Sequence, residues 1–250
     1  MKILMLFSGD DTAFKENGFL YPKNLIEIDG TPMIQNVIQC FRDVLDCADE
    51  ILLTMRQPEI DRYHTSSVAR LLFPSVKIIS VPNITKGAAC AVLLAIKNID
   101  NNEELVVING DIILEESILP AIENFRKRKL DGGAVTFESV HPRWSFVKCD
   151  ESGQIIEATE KRPISRNATI GVYYFRKGSD YVKAAENMIR KDASVNDLFY
   201  ICPVFNEMVL MQKKLGIYKV DRNRYFSLAS PNGIEAYQNH LEGLNEIRKA

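Results

Sequence analysis

The sequence has one tryptophan and three histidines in 250 residues, and none of its five cysteines forms a C-x-x-C pair. Cys40, Cys47, Cys90, Cys149 and Cys202 lie far apart, most of them inside apolar runs. That scatter excludes a disulfide framework and a zinc-ligand set, and predicts buried free thiols in a reducing compartment. No Ser/His/Asp or Cys/His pairing suggests itself, and His64 and His240, in helical, polar surroundings, are expected at the surface. A formal net charge of −2 provides no electrostatic footprint for nucleic acid or an anionic membrane as a partner. No apolar run is long enough to span a bilayer, and the opening run of about five residues is too short for a signal-peptide core. These absences describe a cytoplasmic protein.

What is present is ordinary for a soluble α/β chain: 46% apolar and 26% charged residues, enough for one large core. The first stretch organises the rest. Ile3-Leu4-Met5-Leu6-Phe7 reads as a buried strand, and it breaks at Ser8-Gly9-Asp10-Asp11-Thr12-Ala13-Phe14. Buried strands that end at a glycine and a small polar loop are where open α/β sheets place ligands. Pro32 to Val44 then has helical spacing, with Met33, Val37, Phe41 and Val44 on one face. Strands are expected at Glu50–Thr54, Val76–Val81 and Leu105–Ile108, separated by helices over Gln57–Phe73 and from Gly87 to about Lys97. This alternation predicts a largely parallel sheet wound in the Rossmann manner.

Beyond Asp131-Gly132-Gly133 the texture changes. Strands at Ala134–Phe137 and Phe146–Cys149 precede a hairpin turn at Asp150-Glu151-Ser152-Gly153, and Ile155–Ala158 returns. A strand at Thr169–Phe175, helices at Gly178–Lys191 and Val204–Lys214, a strand at Leu215–Val220 and a helix from Ser230 complete the chain. There is no internal repeat, low-complexity segment or Gly/Ser/Pro linker, which predicts one continuous sheet and a single domain over residues 1–250.

The motifs Pro22-Lys23, Leu25 and Gly30-x-Pro32-Met33-Ile34 resemble the entry segment of the sugar-phosphate nucleotidyltransferase, or pyrophosphorylase, family. That family reads G-x-G-[ST]-R-[FL], then P-K-P-L and G-K-P-M-I. The loop departs from the pattern: Asp11 stands at the second glycine and Ala13 at the arginine. The likeness continues to about Tyr237. His141-Pro142-Arg143-Trp144-Ser145-Phe146 and Glu160-Lys161-Arg162-Pro163 are similar to members associated with capsule and surface-polysaccharide pathways. The resemblance implies a GT-A-like, Rossmann-type mixed and mostly parallel sheet flanked by helices. Residues 1–130 would form a nucleotide-binding half and 131–250 an acceptor-binding half.

On this resemblance Lys23, Asp111 and Lys161 are the expected catalytic residues. Ser8, Gly9, Asp11, Thr85, Gly87, Ala88 and Asn109 join Lys23 in binding the nucleotide. A glycine after a strand lets backbone N–H groups approach a phosphate, though a plain polar turn would look the same. Lys23 suits α- and β-phosphate oxygens as a point charge, or is a solvated loop lysine. Gly87-Ala88-Ala89 either admits a flat base or serves close helix packing. Asp111, at the end of a buried strand, is the expected Mg²⁺ ligand, since magnesium takes one or two carboxylates plus phosphate oxygens; a tight Asn-Gly-Asp turn is the plainer alternative. In relatives a second carboxylate sits near a late G-T-P stretch; here Tyr225–Pro231 has none, which leaves Asp221 or a simple strand-end aspartate. Lys161 would grip the acceptor phosphate, or belongs to a plain charged loop before Pro163. Trp144, Glu160, Asn196 and Tyr200, with Asn206 behind them, are the acceptor candidates, and Trp144 is equally readable as a core aromatic.

The expected activity joins an NTP to a sugar 1-phosphate or related phosphate monoester and releases pyrophosphate, with Mg²⁺ as cofactor. CTP or UTP leads among the nucleotides, although no single residue carries that preference, and a homo-oligomer stays open. Two rival readings remain. One is a nucleotide-binding paralogue without catalysis; the other is a glycosyltransferase using a finished NDP-sugar, for which Asn109-Gly110-Asp111 supplies one of the two carboxylates of D-x-D.

Overall fold

The computed structural model describes residues 1–82 and 84–249. Four strands, β1 (Lys2–Leu6), β2 (Glu50–Arg56), β3 (Lys77–Val81) and β4 (Leu105–Asn109), form the parallel part of one sheet in the order β4-β1-β2-β3. Their nearly continuous apolar runs follow from burial on both faces. Ile3 and Met5 of β1, with Val106 and Ile108 of β4, enter one core, while Leu4, Leu105 and Val107 enter the other.

The sheet continues without a break into the second half. β5 (Gly132–Glu138), β6 (Ser145–Cys149), β7 (Ile155–Glu160), β8 (Asn167–Phe175) and β9 (Leu215–Lys219) extend it to nine strands. β8 joins β4 antiparallel and also carries β5 and β6, while β7 pairs antiparallel with β6 and β9 parallel with β5. Only β7 and β8 therefore run against the other seven, giving a mixed, mostly parallel sheet flanked by helices. The expected fold class and the single continuous sheet are both present. The turn at Asp150–Gly153 is closed by Asp150 Oδ1, which accepts from the backbone N–H groups of Ser152 and Gln154, both at 2.9 Å.

Several expected boundaries shift for local reasons. The helix over Gln57–Phe73 is two pieces, Gln57–Tyr63 and Thr65–Leu72, because His64 adopts a left-handed conformation with φ 52°. The helix expected over Val204–Lys214 stops at Leu210. A helix at Leu119–Lys127 packs Ala121, Ile122 and Phe125 into the core, where the sequence suggested no element. The thiols correct the burial expectation: only Cys202 is buried, and Cys47 is exposed, since it lies past the end of its helix and not on its inner face. All five are free. Among the described residues no helix is long and apolar enough to cross a membrane.

Two backbone features carry the site. Gly110, directly after β4, donates to the Leu6 carbonyl at 3.0 Å, and a Cβ there would lie 2.3 Å from that oxygen. The chain can turn tightly across the end of β1 only because position 110 has no side chain. It then forms a short strand, Ile112–Leu114, antiparallel to Tyr225–Ser227, which brings a late segment beside Asp111.

Candidate active site

Pro22 and Lys23 open a 3-10 turn, Lys23–Leu25, that folds back under the first loop. Lys23 is 5% exposed, and its Nζ lies 2.9 Å from Asp111 Oδ2. Gly9 sits against the same ammonium, for a Cβ there would lie 2.8 Å from Nζ. The strand-end aspartate, the loop glycine and the lysine thus meet at the carboxyl ends of β1 and β4, the crevice where open α/β sheets bind ligands.

Two cavities flank this point. One, of about 360 Å³, is lined by Ser8, Gly9, Asp10, Thr85, Gly87 and Leu198 among others. The other, of about 190 Å³, is lined on its far side by Trp144, Glu160, Tyr200, Tyr225 and Ser227. Ala88, Asn109 and Asp111 belong to both walls. Gly87, at φ 104°, lies flat against the Phe199 backbone, whose carbonyl would be 2.4 Å from a Cβ. The small residues at the helix start therefore serve close packing and cavity lining together. Asn109 rests on Gly171 of β8, at φ 89°, where a Cβ would come within 2.6 Å of Nδ2.

Asp11 stands elsewhere. It is buried, and its Oδ1 accepts from Arg56 Nη1 at 2.8 Å and pairs with Lys15 Nζ at 2.9 Å. Burial opposes its ionisation, but the hydrogen bonds and charges of Lys15 and Arg56 outweigh burial and hold its pKa below the usual 3.8. Arg56 also lies 3.7 Å from Glu59, whose Oε2 accepts from Asn24 Nδ2 at 3.0 Å. Asn24 Nδ2 in turn donates to the Phe7 carbonyl at 2.8 Å. A buried polar chain thus ties the loop, the end of β2 and the turn carrying Lys23. The Asp11 carboxylate, expected to bind nucleotide, lines neither cavity and is held in an internal ion pair.

Asp221 also departs from its expected role. Its Oδ1 caps the turn Arg222–Arg224 by accepting from Asn223 N at 2.9 Å, and the residue is exposed and lines neither cavity. The late segment that does approach Asp111 presents Ser227 and Ala229. Among the described residues no group of three His, Cys, Asp or Glu side chains is arranged to hold a metal.

On the acceptor side, Glu160 is 9% exposed and accepts from the Ser145 hydroxyl. Burial raises its pKa, opposed by the Ser145 hydrogen bond and the Lys161 charge. Tyr200 and Trp144 line the cavity, and Trp144 also packs against Phe137 at a 5.4 Å centroid separation. Lys161 does not line it: the residue is exposed, with Nζ 5.4 Å from the Tyr200 ring centroid. Asn196 is exposed in a turn at φ 51° and lines no cavity described here. Asn206 bridges the Ala158 backbone of β7, donating and accepting at 2.8 Å, and holds an edge strand. Sequence reasoning missed Arg143 and Ser227 in the cavity wall and Arg56 beneath the loop. Arg143 had a signal, as the cation next to the sole tryptophan.

Residues 19–212 match the family model described as nucleotidyl transferase, beginning just past the divergent loop. The chain is 32% identical over 160 residues to the bifunctional protein GlmU of Methanocaldococcus jannaschii, covering 62% of this chain and 35% of that one. It therefore spans about a third of the length of that curated relative. The fold is shared with a nucleoside-diphosphate-sugar pyrophosphorylase from Vibrio cholerae RC9, at a TM-score of 0.83 and 20% identity, over 96% of this chain and 100% of that one. A putative glucose-1-phosphate thymidylyltransferase from Bacillus anthracis, solved in complex with a sucrose, aligns at a TM-score of 0.76 and 19% identity, over 96% and 94% of the two chains. Because the family match runs through the turn of Lys23, the strand end of Asp111 and the Glu160-Lys161 strand, the chain belongs to the nucleotidyl transferase family.

Proposed function

We propose that the protein joins an NTP to a small phosphate monoester, a sugar 1-phosphate or a related acceptor, and releases pyrophosphate. The observation that carries this reading is the shared wall of the two cavities, formed by Ala88, Asn109 and Asp111. A nucleotide in the larger cavity would bring its α-phosphorus to that wall, where an acceptor phosphate in the smaller cavity can attack it in line. Such transfers depend on positioning and charge neutralisation more than on covalent help.

Lys23, buried beside Gly9 and outside both cavity walls, supplies the positive charge behind the shared wall, where its ammonium holds Asp111 and would attract phosphate oxygens. Ser8, its hydroxyl 2.9 Å from that of Thr54, and the loop backbone border the triphosphate space. Glu160 is oriented by Ser145 to receive donors of the acceptor. Asp111, the one acidic residue common to both walls, fits a Mg²⁺ that takes most of its ligands from phosphates and water. When bound there, the ion neutralises charge on the reacting phosphates. Asp11 does not oppose phosphate binding, because Arg56 and Lys15 neutralise it internally. The residues His141–Phe146 and Glu160–Pro163 support a product used as a surface-polysaccharide precursor.

The test is a pyrophosphate-release screen with Mg²⁺, five NTPs and a panel of sugar 1-phosphates and other phosphate monoesters. One productive pair supports the reading. Nucleotide binding with silence across the panel would favour a non-catalytic paralogue.

A further inference from the structure

The smaller cavity has two carboxylates in its wall, Asp111 and Glu160, and among the described residues a single cation, Arg143. A phosphate dianion entering that space meets two like charges and needs an opposite one. Lys161, assigned to this task by motif resemblance, is exposed beside Tyr200 and outside the wall. Arg222 is also nearby, but its Nη1 donates to the Tyr225 carbonyl at 2.7 Å and it lines no wall.

Arg143 is held but unpaired. Its guanidinium lies over the Trp144 ring, 4.2 Å from the centroid. Its backbone N–H donates to His141 Nδ1 at 3.2 Å, and Trp144 N donates to the His141 carbonyl at 3.3 Å. The Trp144 carbonyl accepts from Lys161 N at 3.0 Å, which fixes the turn to the end of β7. None of the ion pairs among the described residues uses Arg143. A stacked guanidinium keeps the edge of its planar fork free for a bidentate oxyanion. Arg143 shares the cavity wall with Asp111 and with the buried Tyr225, whose ring lies 5.6 Å from that of Trp144.

We propose that Arg143 is the residue that binds the acceptor's phosphate, with Lys161 left at the rim. This rests on the reading that the smaller cavity takes a phosphate monoester. Arg143 would hold the non-attacking oxygens, so that the remaining oxygen points across the shared wall.

Trp144, the sole tryptophan, provides a direct readout, because an anion on the stacked guanidinium changes the surroundings of the indole. Titrating inorganic phosphate into the intact protein should give a saturable change in tryptophan emission. Arg143→Gln should weaken that titration roughly tenfold or more, and Arg143→Lys, which keeps charge but loses the fork, by an intermediate factor. Position 143 is exposed, and thermal melts matching the wild type verify folding. An unchanged titration in Arg143→Gln, or no emission change in the wild-type protein at tens of millimolar phosphate, overturns the assignment. Pyrophosphate release with an unaltered acceptor KM in Arg143→Gln also overturns it while leaving the transferase reading intact. An Arg143-dependent titration without pyrophosphate release from any pair supports the anion site and sinks the transferase reading.

Discussion

Lys23 and Asp111, 88 residues apart in sequence, form an ion pair of 2.9 Å at the junction of the two cavities. The lysine is almost enclosed and the aspartate's side chain is 20% exposed, so each holds the other in place. Removing one partner leaves the other poorly solvated. Asp111→Asn should keep the fold, lower the melting temperature through a loss of about 1–3 kcal/mol, and reduce turnover on the order of 10²-fold or more. Thermal denaturation and steady-state rates measured together check both parts. A stable variant with wild-type turnover would take Asp111 out of the site.

Asp11→Asn tests the buried chain beneath the loop. The folded pKa of Asp11 is depressed, so its stabilising effect is fully present above the unfolded value near 3.8 and is lost as pH falls through the lower folded value. Denaturation midpoints should therefore differ most at neutral pH, and the variant should show a shallower loss of stability as pH falls below the ordinary aspartate value of 3.8. Parallel curves for both proteins over that range would contradict the ion-pair assignment.

Gly87→Ala places a Cβ against the Phe199 backbone at a positive φ, two penalties that no rotamer relieves. A destabilisation of about 1–3 kcal/mol is expected, with a raised KM for the nucleotide because Gly87 lines its cavity. Chemical denaturation and nucleotide titration together separate the two effects.

Glu160→Gln addresses the acceptor side. Burial raises the Glu160 pKa, so its carboxylate forms later on the pH scale than an ordinary glutamate. Acceptor affinity that uses the carboxylate should strengthen as pH rises through that value, and the glutamine variant should lose the dependence. An acceptor KM with the same pH profile in both proteins would remove Glu160 from acceptor binding.

Much of the fold was legible because buried parallel strands announce themselves as apolar runs between helices, as in Ile3–Phe7 and Leu105–Ile108. Gly9, Lys23 and Asp111 were legible for the same reason: each lies next to such a strand or its return turn. The sequence could not show where Asp11 points, because its partner Arg56 is 45 residues away at the end of another strand. Asp221 lay close to the right segment, yet backbone pairing of Tyr225–Ser227 with Ile112–Leu114 brings Ser227 and Ala229, and not the aspartate, into the wall. The helix at Leu119–Lys127 was hidden by its short length and its charged outer face.

The most direct test of the account is the phosphorus chemistry of one turnover. With a productive NTP and acceptor pair and Mg²⁺, ³¹P NMR should show a new pyrophosphate diester joining nucleoside and acceptor, formed in step with free pyrophosphate and dependent on both substrates. Inorganic phosphate as the leaving product, or consumption of a finished NDP-sugar in place of the NTP, would contradict the assignment of the two cavities to nucleotide and acceptor phosphate.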